Sequence, residues 1–241
     1  MHPMDDLLRC FQELASRKGS VRLLNAYRGI PVIHPAEVLS VNQGHRPAQV
    51  QIIVELHPHQ AVCMSLEGKT CLIGAGLAQA LQARVVGVDM LRSQAILAEF
   101  SPANSSIGKR LAVRIQPKTP LEAQIFDGEH RLACKVNDLS YSGVGVTDVC
   151  PIGHPQINLA KGQLLFLELR LPASNGMLHL RVKISNLESS PETPFQRLGM
   201  TIFPEMPADE LLRAYIATRQ VETLAELQLA YETLCRKQGS L

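Results

Sequence analysis

The sequence predicts a mainly β chain: two small β-barrels followed by a long C-terminal helix. Three observations carry this. Both halves consist of short apolar runs of strand length, broken by turn residues. A stretch rich in Ser, Pro, Asn and Gly, SPANSSIG at 101–108, separates the halves. After Pro207, neither proline nor glycine recurs before Gly239, so one long helix can run there. At 241 residues the chain has room for two domains of ordinary size, and 46% hydrophobic against 19% charged residues supplies each with a core.

Residues 4–18 place Leu7, Leu8, Phe11 and Leu14 at helical spacing, and Asp5 and Asp6 suit the positive end of the helix dipole. From 21 to 100 the runs shorten. Val50, Ile52 and Val54 alternate with Gln49, Gln51, Ile53 and Glu55, the period of a strand with one buried face, and the run QAVCMSLEG reads as one more short apolar segment. Gly74-Ala75-Gly76 is like the opening of a dinucleotide fingerprint, but Gln79 stands at the third glycine position without a surrounding βαβ pattern, so a turn or bulge is expected. His57 and His59 flank Pro58 near Cys63; with no fourth ligand at a recognisable spacing, the stretch reads as a surface turn and no metal site is expected.

The boundaries expected are an N-terminal helix and barrel over 1–100, a linker over 101–109, a second barrel over 110–206 and a helix over 207–241. In the second barrel, 120–126 and 130–136 read as strands joined at Asp127-Gly128, a hairpin dipeptide. The polar turn NDLSYSG follows, and Gly143 to Val146 resumes an extended path. Residues 163–171 and 177–187 form another hairpin, and 195–203 adds a strand, enough to close a barrel. In the last helix Leu211, Leu212, Tyr215 and Ile216 can pack on that barrel. Ala217, Gln220, Leu224, Leu227, Tyr231 and Leu234 then follow a coiled-coil-like spacing, compatible with self-association and equally with a helix folding back on its own chain.

Composition excludes several functions. A net charge of +2 with no Lys/Arg-rich block is too small for a general nucleic-acid surface. The six cysteines lack CxxC spacing and disulfide-scaffold density, so most should be reduced core residues. The N-terminus lacks a basic, then apolar leader, and no run approaches the roughly 20 apolar residues of a membrane span, so a cytoplasmic chain is expected. No ordered nucleophile and base, metal cluster or Walker-type loop marks a catalytic residue.

Two polar signatures remain. Arg110-x-x-x-Arg114, preceded by Lys109, offers planar guanidinium forks that hold phosphate at any working pH and stack on a purine. Asp138-x-Ser140-x-x-Gly143 offers an acceptor-only carboxylate matched to the N–H edge of guanine, a hydroxyl, and a glycine that permits a positive φ and lets a ligand approach the backbone. Singly, each also reads as surface arginines or an Asx-capped turn.

In this order and context the two signatures resemble the PilZ domain, a six-stranded β-barrel that binds cyclic di-GMP. Leu198-Gly199-Met200-Thr201-Ile202-Phe203 is similar to a later family feature, a glycine in a strand ending in phenylalanine. The position and β-rich pattern of the first half resemble the split barrel that precedes PilZ in YcgR-type flagellar brake proteins. The resemblance implies a non-enzymatic receptor without cofactor or metal. Arg110 and Arg114 would hold phosphate and stack on guanine, Lys109 would influence ligand stoichiometry, and Asp138 and Ser140 would read a guanine edge beside Gly143, with Gly199 nearby. It also implies a rearrangement about the linker that regulates a protein target, such as a flagellar motor component. The alternative is a nucleotide-independent adaptor assembling through its C-terminal helix.

Overall fold

The structure, a computed structural model, describes residues 3–43, 50–74, 76–103, 113–151, 159–172, 177–188, 196–203, 205 and 208–239. The chain forms two compact units, one of Met1–Tyr27, Pro31–Arg110 and Thr223–Leu241, the other of Arg28–Ile30 and Leu111–Glu222.

The first unit contains α1 (Pro3–Ser16), β1 (Ser20–Tyr27), β2 (Ile30–Gln43), β3 (Val50–Glu55), α2 (Pro58–Glu67), β4 (Lys69–Ile73), β5 (Leu81–Asp89) and β6 (Gln94–Pro102). Its strands close into a barrel in the order β1-β2-β3-β6-β5-β4. The period-two pattern of β3 does what it predicts, burying Val50, Ile52 and Val54. α1 buries Phe11, whose ring lies 5.0 Å from that of Phe100. Gly74 and Gly76 both take positive φ, +118° and +78°, between β4 and β5, as a turn requires.

One element departs from the strand expectation. Residues 58–67 form a helix, because Pro58 suits its first turn, the His57 side chain caps it by accepting from His59 N, and Gly68 ends it at φ 65°, where its N–H donates to Met64 O. An unbroken apolar run is ambiguous between buried strand and helix until its ends are known. The helix is held by a buried polar network. Asn25 Oδ1 accepts from Gln60 Nε2 and from Thr70 Oγ1 (2.7 Å), while Asn25 Nδ2 donates to Glu67 Oε2 and Lys69 O, both at 2.8 Å. Cys63 faces Val32, Val62 and Leu227 in a small apolar cluster, and burial, with Glu67 adding to it, pushes its thiol up to about 12. It is a core residue.

The second unit contains β7 (Leu121–Phe126), β8 (Arg131–Leu139), β9 (Gly143–Pro151), β10 (Leu164–Arg170), β11 (Met177–Glu188) and β12 (Gln196–Phe203), closed in the order β10-β11-β12-β9-β8-β7. Asp127 turns the first hairpin by accepting from His130 N (2.7 Å) and Glu129 N (2.9 Å), with Gly128 at φ +109°. The inward residues of all six strands fill one apolar core with Ile115.

α3 (Ala208–Gln238) contributes Leu212 and Ile216 to that core. From Thr223 onward it belongs to the first unit, where Leu227, Tyr231 and Leu234 pack on apolar neighbours. Its buried line keeps the end of the expected seam, Leu227 with Tyr231 and Leu234, but reaches it from Leu212 and Ile216 through Arg219 and Thr223, whereas Leu224 is exposed. Two polar residues sit on the true line, so a search for apolar spacing slides off it. Arg219 is accommodated because its Nε donates to Gln116 O at 2.9 Å and its Nη1 meets Glu222 at 3.2 Å.

Two outcomes follow for stability. Asn25→Leu strands the Gln60 amide and the Thr70 hydroxyl and should lower stability by on the order of 3 kcal/mol in chemical denaturation. Burial first, and neighbouring imidazoles second, push His34 and His57 below the ordinary 6.5. The unfolded chain then binds protons more readily than the folded one, so stability present above that pH is lost as pH falls through it. Thermal unfolding between pH 7.5 and 5 should show the melting temperature dropping, less so in a His34→Gln variant.

Candidate functional site

Arg114 is placed by its backbone neighbour. Ile115 and Leu139 exchange two hydrogen bonds, N to O at 2.8 Å and 2.9 Å, and both side chains are fully buried. Within the same unit Gln116 N donates to Arg28 O (3.2 Å), and Gly29, at φ +85°, lies so close that a Cβ there would stand 2.4 Å from Arg114 O. Only glycine fits that turn on both counts. The backbone from the Arg114 carbonyl to Gln116 is therefore fixed.

Asp138 is placed by a bulge. Along β8, Leu132, Cys134 and Val136 point inward, and continuing the alternation would send Asp138 into the core. The pairing with β9 slips between Val136 and Asp138, so the phase reverses: Leu139 turns inward and Asp138 outward. There Asp138 Oδ1 accepts from Arg114 Nη1 at 2.9 Å, with the two side chains 15% and 34% exposed. A partly solvated pair of this kind is available for exchange with a ligand's charges, because leaving it exposes neither group to a dry interior.

Asp138 pairs across with Gly145, Gly145 with Gly199, and Gly199 with Asn186. The neighbours of both glycines, Val144, Val146, Leu198 and Met200, belong to the core. Each glycine thus occupies an outward position, and together they make a side-chain-free strip across β9 and β12 between Asp138 and Asn186. At Gly145 a side chain would displace the carboxylate: a Cβ would lie 2.3 Å from Asp138 Oδ2 and 2.8 Å from its Cγ. At Gly199 a Cβ would merely touch Asn186 at 3.4 Å. The Asp138 carboxylate covers Gly145, which is buried, so the open part of the strip lies at Gly199, where a flat ring that carries N–H donors and an attached anion can meet the carboxylate edge.

The turn between β8 and β9 completes the site. Ser140 is buried; its N–H and its hydroxyl both donate to Gly143 O, at 2.8 Å and 3.1 Å. Its hydroxyl proton is engaged in holding the turn, leaving the oxygen as an acceptor. Gly143 does not use the positive φ that glycine permits. Space is its reason: a Cβ would stand 3.3 Å from Met200 O and 3.7 Å from Arg114 Nη2. Tyr141 ties the turn to α3, with the Arg213 guanidinium 5.5 Å from its ring centre and Arg213 Nε on Asp209 Oδ2 at 2.8 Å.

Of the residues marked in the sequence, Arg114, Asp138, Ser140 and Gly143 converge, and Gly199 lies two strands along the same outward row. Lys109 and Arg110 lie outside the described residues. Gly145, Gly29 and Asn186 went unmarked. Gly145 had a readable signal, since a second glycine two places after Gly143, inside a strand, asks for a close neighbour. Gly29 and Asn186 are brought in only by the fold.

The PilZ domain family matches residues 108–218. No curated protein matches the chain significantly. Among solved structures, the chain is similar to the inhibitor of motility MotI/DgrA of Bacillus subtilis, at 14% identity and a TM-score of 0.42, covering 84% of this chain and 96% of that one. YcgR of Escherichia coli in complex with c-di-GMP is similar at 13% identity and 0.42, covering 94% of each. The K. pneumonia MrkH–c-di-GMP complex is similar at 9% and 0.43, covering 92% and 96%.

Gly145→Ala drives a methyl into the Asp138 carboxylate and should cost the second barrel about 2 kcal/mol in chemical denaturation. The same substitution in an Asp138→Ala background should cost much less, because the atoms it collides with are gone.

Proposed function

Because residues 108–218 are a PilZ domain, we propose that this chain is a receptor for cyclic di-GMP that binds the nucleotide on the strip beside Arg114 and Asp138 and does no chemistry on it. The observation that carries the reading is the juxtaposition of Arg114 and Asp138 at 2.9 Å on the outer face of the matched domain. In this reading the Arg114 and Arg110 forks grip phosphate and stack on a guanine face, and Lys109 adds charge beside them. The Asp138 carboxylate takes the N–H edge of the base. Ser140 and Gly143 shape the turn under it, Gly145 leaves room for the carboxylate, and Gly199 lets the ring lie close to the backbone.

Binding at residues 109–114 places the ligand on the chain segment that enters the second barrel. A ligand shifts a conformational equilibrium only through its differential affinity for the two states, and the stretch over 101–109 is the two-state element in this reading. The output is altered contact with a protein target, a flagellar motor component being the kind the two-barrel organisation suggests, in the cytoplasm. No helix of the described residues is long and apolar enough to cross a membrane. A second reading, nucleotide-independent assembly through α3, draws on the exposed Val221 and Leu224, which stand three residues apart on it.

Calorimetric titration of the full chain with cyclic di-GMP should give a Kd of about 1 μM or tighter, weakened at least about tenfold by Arg110→Ala, Arg114→Ala or Asp138→Ala. Absence of binding, or variants that bind as well as the parent, contradicts the proposal. Prolonged incubation should return the nucleotide intact; a linearised product contradicts the receptor reading.

A further inference from the structure

The first unit carries a second cluster that the nucleotide site leaves unused. His34 comes from β2, His57 caps α2 and His59 lies in its first turn, and one ring nitrogen from each falls within 4.8 Å of the others. All three are partly buried, so the cluster is both built and reachable. The His34 and His57 rings stack face to face, 3.6 Å apart and 6° from parallel, and His59 stands edge-on to both at 6.3 Å and 5.0 Å. His59 Nε2 lies 3.3 Å from Gln228 Oε1 on α3, within the same unit.

We infer that His34, His57 and His59 form a binding site for one divalent transition-metal ion of the zinc class. Two protonated imidazoles would not stack at 3.6 Å, so at least one ring of the pair is neutral, the form that carries a lone pair for a metal. Zinc–imidazole bonds of about 2.0–2.1 Å in tetrahedral geometry require ligand nitrogens about 3.4 Å apart. Because lone pairs lie in the ring planes and the His34 and His57 planes are nearly parallel, ligation requires at least one of the two rings to rotate out of the stack. Three histidines leave a fourth position for water or for the Gln228 carboxamide oxygen. Capping and stacking explain His57 and His34; neither calls for a third imidazole within 4.8 Å of both.

The geometry also limits the affinity. His57 Nδ1 accepts the His59 backbone N–H at 3.3 Å, and ligation through either ring nitrogen gives up that cap, by displacing the N–H or by moving the ring proton onto Nδ1. The adjacent helix N-terminus opposes a cation as well. Binding should therefore be micromolar and should weaken on acidification, as protons compete for the same nitrogens. Because its ligands come from β2 and α2, with Gln228 of α3 beside them, a bound ion staples three elements of the first unit.

The test is calorimetric titration of chelator-treated, untagged full-length protein with ZnCl2, with thermal unfolding in parallel. One ion per chain and a raised melting temperature are expected. His34→Ala and His59→Ala should each weaken binding at least about tenfold. His57→Asn keeps a capping acceptor, so a loss of affinity in that folded variant reports ligation rather than helix damage. His130→Asn and His179→Asn, whose rings face Asp127 and Glu168 elsewhere, should bind as the parent does. No saturable zinc binding, or binding undiminished in His57→Asn and His59→Ala, overturns the inference.

Discussion

Two hydrogen bonds between Ile115 and Leu139 fix the geometry on which the candidate nucleotide site depends. They are the sole ladder rung between the entering chain and β8 among the described residues, and they are made by residues whose side chains are sealed in the core. An inward Ile115 fixes the chain to which Arg114 belongs, and an inward Leu139 sends Asp138 outward. The ion pair is thus a consequence of core packing. A barrel that closes over Ile115 presents a guanidinium and a carboxylate together on its surface before any ligand arrives. Such preorganisation lowers the ordering cost of binding.

Irregularity does the rest. Strict alternation along β8 would bury the Asp138 carboxylate, at a cost of several kcal/mol for an uncompensated charge. The bulge converts that liability into an exposed acceptor, and further register shifts, between Ile184 and Asn186 and between Gln196 and Leu198, occur on the strands that complete the row. Glycine then keeps the row bare. Gly145 answers to the carboxylate beside it, and Gly29 to the Arg114 carbonyl. These glycines are dictated by neighbours distant in sequence.

That distinction explains what could be read from the chain. Period-two patterns and turn residues located all six strands of the second barrel, although β8 continues through Leu139 and β9 through Pro151, beyond the expected ends at Val136 and Val146, and the acidic start and unbroken run of 208–238 located α3, because those signals are local. Arg114, Asp138 and Gly143 were legible because two short motifs carry them. α2 was missed because AVCM satisfies a buried strand and a buried helix alike, and the arbiters were a histidine cap and Gly68. The buried line of α3 was legible at Leu212, Ile216, Leu227, Tyr231 and Leu234 and missed between them because Arg219 and Thr223 sit on it, made tolerable by partners such as the Gln116 carbonyl. His34 joins His57 and His59 only because β2 and α2 pack together, so a ligand search confined to neighbouring sequence found two imidazoles and stopped.

In the proposed reading the nucleotide lies on one strip of the second barrel, touching the entering chain and the β8–β9 turn. Hydrogen–deuterium exchange of the full chain with and without cyclic di-GMP reads this directly. Protection concentrated in peptides covering 109–116 and 138–146 is the predicted result. Protection confined to other surfaces, or exchange unchanged at saturating nucleotide, would contradict the account.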